Sequence, residues 1–230
     1  MERLILIVED EKPIADILKF NLQKEGYKTI EALDGEAGLN LALTKNPDLV
    51  LLDVMLPKLD GFGVCKKIRE KSQVPVIILT ARADELEKVL GLELGADDYI
   101  TKPFSIREVM ARVKANIRRT VDADAESKKA LIIGRFTLDD ERYEVKKDEN
   151  LLDLTIREFE LIRFLATQPD KIFSREQLLE HVWGYEYYGD VRTVDVTVRR
   201  LREKVEDNPS KPDYIITKRG VGYYFKKANV

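Results

Sequence analysis

The chain has 230 residues, 44% hydrophobic and 35% charged, with a formal net charge of −3. This length suits two ordinary domains, and the composition excludes a disordered polymer. No apolar run approaches the ~18 residues needed to cross a bilayer, and Cys65, the only cysteine, excludes an intrachain disulfide and a cysteine-rich zinc site.

The start, Met1-Glu2-Arg3 followed by an apolar run, lacks a signal-peptide layout, so a cytoplasmic protein without membrane contact is expected. Charge is unevenly spread. From Arg192 to Lys227 there are ten basic and five acidic residues, whereas 131–191 carries eight basic and fourteen acidic ones. A basic end on a near-neutral chain suggests one face built for a polyanion.

Over residues 1–119 short apolar runs alternate with amphipathic stretches. The runs are Leu4–Val8, Tyr27–Leu33, Leu49–Leu52, Val74–Leu79 and Tyr99–Ile100. Between the first two, Ile14, Ile17, Leu18 and Leu22 repeat at helical spacing and stop at Gly26. Five strands alternating with helices predict an α/β fold, a doubly wound five-stranded parallel sheet, because parallel strands need crossovers and bury both faces. Ligands of such sheets sit beyond the C-terminal strand ends.

Those ends carry Glu9-Asp10-Glu11, Asp53, Thr80 and Lys102-Pro103. Converging carboxylates repel one another unless a cation offsets them, and hard oxygen ligands suit Mg²⁺. A lysine and a hydroxyl nearby can hold phosphoryl oxygens, and a central carboxylate can serve as a nucleophile. Singly, each residue reads as a turn, cap or loop residue; their convergence argues for a site. Gly61 and Pro57 read as shaping the turn after Asp53. Cys65 reads as a space-filler, with redox sensing as the alternative.

Residues 120–130 are polar, lack a core pattern and read as a linker. Beyond them, over 131–230, strand-like runs appear at Leu131–Leu138, Tyr143–Lys147 and Leu151–Leu154. Thr155-Ile156-Arg157-Glu158 is a capping box, with Leu154 and Phe159 placed as a hydrophobic staple. Ser174-Arg175-Glu176-Gln177 opens a second helix, with Leu178, Leu179 and Val182 as its buried stripe and His181 as a packing or surface residue. A third helix over Arg192–Val205 buries Val194, Val198, Leu201 and Val205. It leaves Arg192, Thr193, Val196, Thr197, Arg199 and Arg200 for the major groove, where arginine reads guanine and apolar groups meet thymine methyls. The alternative is a solvated face in which Asp195 or Glu203 pairs with Arg199. Tyr214–Thr217 and Tyr223–Phe225 flank Lys218-Arg219-Gly220-Val221-Gly222, a hairpin with a basic tip, with Thr217 and Arg219 as candidate DNA contacts. This predicts an α+β winged helix-turn-helix domain.

Glu9-Asp10, Asp53 within Leu52-Asp53-Val54-Met55-Leu56-Pro57, Asp60-Gly61, Thr80-Ala81 and Lys102-Pro103-Phe104 resemble the flavodoxin-like receiver domains of two-component systems. The resemblance implies that Asp53 accepts a phosphoryl group from a sensor histidine kinase. It implies Mg²⁺ held by Asp10, Asp53 and the Met55 carbonyl, with Glu9 assisting through water. Lys102 and Thr80 would hold the phosphoryl oxygens, and Tyr99 would turn inward as the switch. Leu154-Thr155 with Glu158-Phe159, Arg192–Val196 with Arg199–Arg202, and Arg219-Gly220 with Gly222-Tyr223 resemble the winged-helix output domains of the OmpR/PhoB class, most of all PhoP/WalR-like regulators. That likeness implies double-stranded DNA as partner and an RNA polymerase contact in the Trp183–Val191 loop, whose alternative reading is an ordinary connector.

The class also implies a homodimer of phosphorylated receivers through the fourth helix, fifth strand and fifth helix. Lys88–Glu108, Asp97–Lys114 and Asp98–Arg112 would pair across it, around Val89, Leu92 and Met110. Locally, Ser105 and Glu108 read as a capping box. The expected function is a phosphorylation-dependent transcriptional regulator, with no enzymatic activity beyond its own phosphorylation and dephosphorylation. A phosphorylation-independent DNA-binding regulator is the alternative. A Mg-dependent phosphohydrolase is disfavoured, because a dehalogenase-like nucleophile wants a second aspartate where Met55 stands.

Overall fold

A computed structural model describes residues 3–81, 90–117, 130–140, 142–184 and 190–227. The chain folds into two compact units, Met1–Ile117 and Arg118–Val230. Most of the linker read over 120–130 lies outside the described residues.

The first unit is a five-stranded parallel sheet in the order β2-β1-β3-β4-β5. Its strands are β1 (Leu4–Val8), β2 (Lys28–Ala32), β3 (Leu49–Asp53), β4 (Val76–Thr80) and β5 (Asp98–Thr101). Its helices are α1 (Lys12–Lys24), α2 (Gly35–Thr44), α3 (Gly61–Arg69), α4 (residues 90–93) and α5 (Ile106–Ile117). On one face Ile5, Ile7, Leu49, Leu51, Ile77, Leu79 and Ile100 meet Leu18 and Leu22 of α1 and Val109 and Val113 of α5. The alternate residues Leu6, Val8, Val50, Leu52 and Ile78 are buried as well. Both faces are dry, which is why these strands read as continuous apolar runs rather than alternating ones. In α1, Ala15 rather than Ile17 completes the buried stripe with Leu18 and Leu22, and Ile17 is half exposed.

The second unit opens with an antiparallel sheet of β6 (Leu131–Ile133), β7 (Phe136–Asp139), β8 (Glu144–Lys147) and β9 (Asn150–Leu152). The run Leu131–Leu138, read as one strand, is two, because Gly134 at φ +57° turns the chain back. Helix α6 (Ile156–Ala166) begins at the expected capping box: Thr155 Oγ1 accepts from Glu158 N, and a Glu158 carboxylate oxygen accepts from Thr155 N. Ser174 and Gln177 cap α7 (Arg175–Leu178) in the same way, and a π-helical turn over Leu179–Trp183 continues it. Helix α8 (Arg192–Val205) buries Val194, Val198, Leu201 and Val205 as expected. The hairpin of β10 (Ile215–Lys218) and β11 (Gly222–Phe225) closes the unit. Phe173 pairs with Tyr223 beside it, and a Cβ on Gly222 would stand 1.9 Å from the Phe173 carbonyl oxygen, so only glycine fits there. No helix among the described residues is long and apolar enough to cross a membrane.

Candidate functional site

The C-terminal ends of β1, β3 and β5 bring Glu9, Asp53 and Lys102 together. Lys102 Nζ lies 3.2 Å from Asp53 Oδ2 and 2.9 Å from Glu9 Oε2. Asp53 Oδ1 accepts from Val54 N at 2.8 Å. Glu9 and Asp53 are buried while Asp10 is exposed at the rim. Burial pushes the Glu9 carboxyl above its ordinary pKa, with the Asp53 charge adding to it and the Lys102 hydrogen bond opposing. Burial acts to lower the Lys102 pKa, but the hydrogen bond to Glu9 and the charges of Asp53 and Glu9 outweigh it and hold the ammonium above its usual value.

One oxygen from each of Glu9, Asp10 and Asp53 falls within 4.8 Å of the others. Three carboxylates against one ammonium leave the pocket short of positive charge, and among the described residues Glu9 Oε2 finds no hydrogen-bond partner despite its ionic contact. The donor set therefore fits a hard divalent cation. In the turn beyond Asp53, Leu56 N and Gly61 N both donate to the Val54 carbonyl, not to that of Met55, whose side chain is exposed. Gly61 does more than shape this turn. A Cβ there would stand 2.1 Å from the Asp53 carbonyl oxygen, so the glycine lets α3 start hard against the site. Thr80 is buried at the end of β4, beside β3, and the Tyr99 ring of β5 is buried in this structure.

The residues expected to bridge a dimer find partners inside the chain. Arg112 Nη1 meets Asp98 Oδ1 at 2.8 Å and Arg112 Nη2 meets Glu108 Oε1 at 2.8 Å. Asp97 accepts from Arg69 Nη2 at 2.6 Å and from Val76 N at 2.9 Å. Lys114 reaches Glu25 at 2.7 Å. Leu92, Met110, Asp97, Asp98 and Arg112 are buried, and Glu108 and Lys114 reach the surface. Lys88 and Val89 lie outside the described residues. Ser105 Oγ accepts from Glu108 N at 3.1 Å, one half of the expected cap.

On α8 the open surface is narrower than the periodicity predicted. Thr193, Val196 and Thr197 are buried, a correction to their placement on an exposed face. The helix packs against both α6 and α7, which widens its covered side, and Thr197 Oγ1 donates back to the Thr193 carbonyl at 2.7 Å. Arg192 and Arg199 are exposed, the latter 3.4 Å from Glu203. Arg200 is largely covered and held 3.0 Å from the buried carboxylate of Glu158, which also accepts from Lys204 at 2.6 Å. The tip residues Thr217, Lys218, Arg219, Gly220 and Val221 are all exposed, and Gly220 at φ +73° makes the turn.

Three residues to which the sequence assigned no such role hold this surface together. Arg202 Nε donates to the Ile215 carbonyl at 2.9 Å and its Nη2 to Thr217 Oγ1 at 2.8 Å. Glu206 accepts backbone hydrogen bonds from Asp213, Tyr214 and Ile215 at 2.7–3.1 Å. Arg175 reaches across to Asp195 at 2.7 Å. Helical spacing reveals only neighbours on one helix, so none of these long-range partners was legible.

Residues 5–114 match the family model described as "Response regulator receiver domain", and residues 148–225 match "Transcriptional regulatory protein, C terminal". Among solved structures, a cysteine-to-serine mutant of RitR is 32% identical, with a TM-score of 0.78, over 98% of this chain and 100% of that one. The response regulator DrrB of Thermotoga maritima, described as an OmpR/PhoB homologue, is 36% identical over the same shares, with a TM-score of 0.53. The receiver domain of Francisella response regulator 1452 is 40% identical over 52% of this chain and 99% of that one, with a TM-score of 0.50.

Proposed function

The chain belongs to the OmpR/PhoB family of response regulators, and we propose that a phosphoryl group on Asp53 switches its DNA binding. A receiver joined to this output domain supports a DNA-binding transcription regulator of a two-component system; in this reading a histidine kinase is its phosphoryl source.

The observation that carries the proposal is the Lys102 ammonium, 3.2 Å from Asp53 Oδ2 and itself anchored by Glu9. Asp53 Oδ1 accepts from Val54 N and Oδ2 faces the Lys102 ammonium; in this reading Oδ2 attacks phosphorus as the bond from phosphorus to the donor's leaving group breaks. Lys102 is placed to take an oxygen of the incoming phosphoryl group as the charge on Asp53 is lost. Asp10 and Asp53 with the Met55 carbonyl, and Glu9 through water, would hold Mg²⁺, which when bound neutralises phosphoryl charge. Thr80 would then move toward the phosphoryl group, and Tyr99, buried in this structure, would act as the aromatic switch that turns inward behind it.

In this reading the α4–β5–α5 face dimerises after phosphorylation, and the paired output domains take repeated half-sites through α8 and the Arg219 hairpin. Because Asp98, Arg112 and Asp97 have partners within the chain, dimerisation exchanges existing ion pairs rather than satisfying free charges. The Trp183–Val191 loop, mostly outside the described residues, is the surface assigned to RNA polymerase. In the same reading the chain turns over nothing beyond its own aspartyl phosphorylation and dephosphorylation.

Intact mass after incubation with acetyl phosphate, with and without Mg²⁺, tests the central step. A Mg²⁺-dependent gain of one phosphoryl group, lost in Asp53→Ala, is the expected result. No adduct under any condition would favour a regulator that works without phosphorylation.

A further inference from the structure

Asp195, in the first turn of α8, joins three elements. Its Oδ1 accepts from Arg175 Nε of α7 at 2.7 Å and from the Tyr223 hydroxyl of β11 at 2.6 Å. Arg175 Nη2 donates to the same hydroxyl at 3.3 Å, and its guanidinium lies 5.0 Å from the Tyr223 ring centroid. Seven residues along α8, Arg202 lies 5.7 Å from that centroid and donates to Ile215 and Thr217 of β10.

Seven residues are two helical turns, so the two attachments stand about 10 Å apart on one side of α8. One grips each strand of the hairpin. The two ties leave α8 about 10 Å apart and end on Ile215, Thr217 and Tyr223, of which Thr217 and Tyr223 are cross-strand partners, so they hold the hairpin's angle to the helix as well as its distance. Asp195 is 40% exposed, and an exposed ion pair adds little to stability. Its consequence is therefore geometric. The hairpin tip carries Arg219, and the open part of α8 carries Arg192 and Arg199. A duplex can meet both only if their separation matches its groove and backbone spacing.

We propose that Asp195 and Tyr223 are positioning residues that set the angle of the hairpin, and with it the reach of Arg219, relative to the exposed arginines of α8. The proposal rests on the DNA-binding reading above and adds to it the residues that hold its two contact surfaces in register.

The test uses the full-length chain and a duplex enriched by the wild type from a random double-stranded pool. Binding is followed by fluorescence anisotropy for Asp195→Asn, Tyr223→Phe and Arg219→Ala, and for each of the first two combined with Arg219→Ala. Asp195→Asn and Tyr223→Phe are each expected to weaken binding about fivefold, and to add nothing once Arg219 is absent. A merely structural role would give losses that multiply with Arg219→Ala, and that result overturns the proposal. So does undiminished binding by Asp195→Asn. If Tyr223→Phe melts early, Asp195→Asn, at an exposed carboxylate, decides alone. A wild type that retains no duplex at all refutes the DNA-binding reading and the proposal with it, whereas a binding wild type with multiplying losses refutes the proposal only.

Discussion

Arg112 and Asp98 form a buried ion pair within one chain, 2.8 Å apart, with side chains 5% and 0% exposed. Removing one member takes the buried counter-charge from the other, a loss that typically costs about 3 kcal/mol. Arg112→Met should therefore lower the stability of the receiver unit by about that amount, measured by urea unfolding of dilute, unphosphorylated protein. If the cost appears only under conditions that favour dimers, the pair works between chains instead.

Gly61→Ala should damage the pocket from behind. The added methyl meets the Asp53 carbonyl oxygen at 2.1 Å and the Val54 Cα at 2.8 Å, both backbone atoms that no rotamer can move aside. Overpacking of this kind costs about 1–3 kcal/mol. Thermal melting should register that loss, and phosphorylation by acetyl phosphate should slow because the Asp53 backbone must shift. A variant phosphorylated at the wild-type rate would show that the turn yields elsewhere.

Glu158 serves the cap of α6 and two cations of α8 with one buried carboxylate. Glu158→Ala removes its own half of the capping box, leaving Thr155 Oγ1 to accept from the backbone N of residue 158, and takes the Glu158 counter-charge from the largely covered Arg200. A loss of about 2–4 kcal/mol is expected from the two effects together. Glu158→Gln keeps the cap geometry and should recover part of it. Equal melting temperatures for the two variants would place the whole effect in the charge.

The Tyr223 hydroxyl predicts an alkaline transition. Burial first, then its hydrogen bond to the Asp195 carboxylate, pushes its pKa up to about 12 from an ordinary 10.0. A group whose pKa is raised on folding contributes stability that is complete below its unfolded value and lost as pH rises through its folded one. The output unit should therefore weaken between pH 10 and about 12. Tyr223→Phe should lose stability below pH 10 and show a flatter profile above it. Tyrosinate absorbance with parallel melting curves checks both.

Much of this was legible in the residues. Continuous runs such as Leu49–Leu52 required a sheet covered on both faces, and carboxylates at the strand ends marked the pocket. Both capping boxes lie where Thr155 and Ser174 placed them, because a cap is a contact over three residues and is written locally. The turn at Gly134-Arg135 is equally local, but Leu131–Ile133 before it and Phe136–Leu138 after it read together as one strand-like run.

Local pattern was enough to show which segments have a dry side and which side chains crowd the strand ends, because continuous apolar runs mark strands covered on both faces and a 3.6 period marks the packed stripe of a helix. Tertiary structure alone decided whether Arg112 meets Asp98 of its own chain, whether Thr193, Val196 and Thr197 face solvent, and that Asp195 holds Tyr223. Those outcomes depend on which elements come to lie side by side. A charge or hydroxyl carries no mark of the partner that packing brings within reach from dozens of residues away.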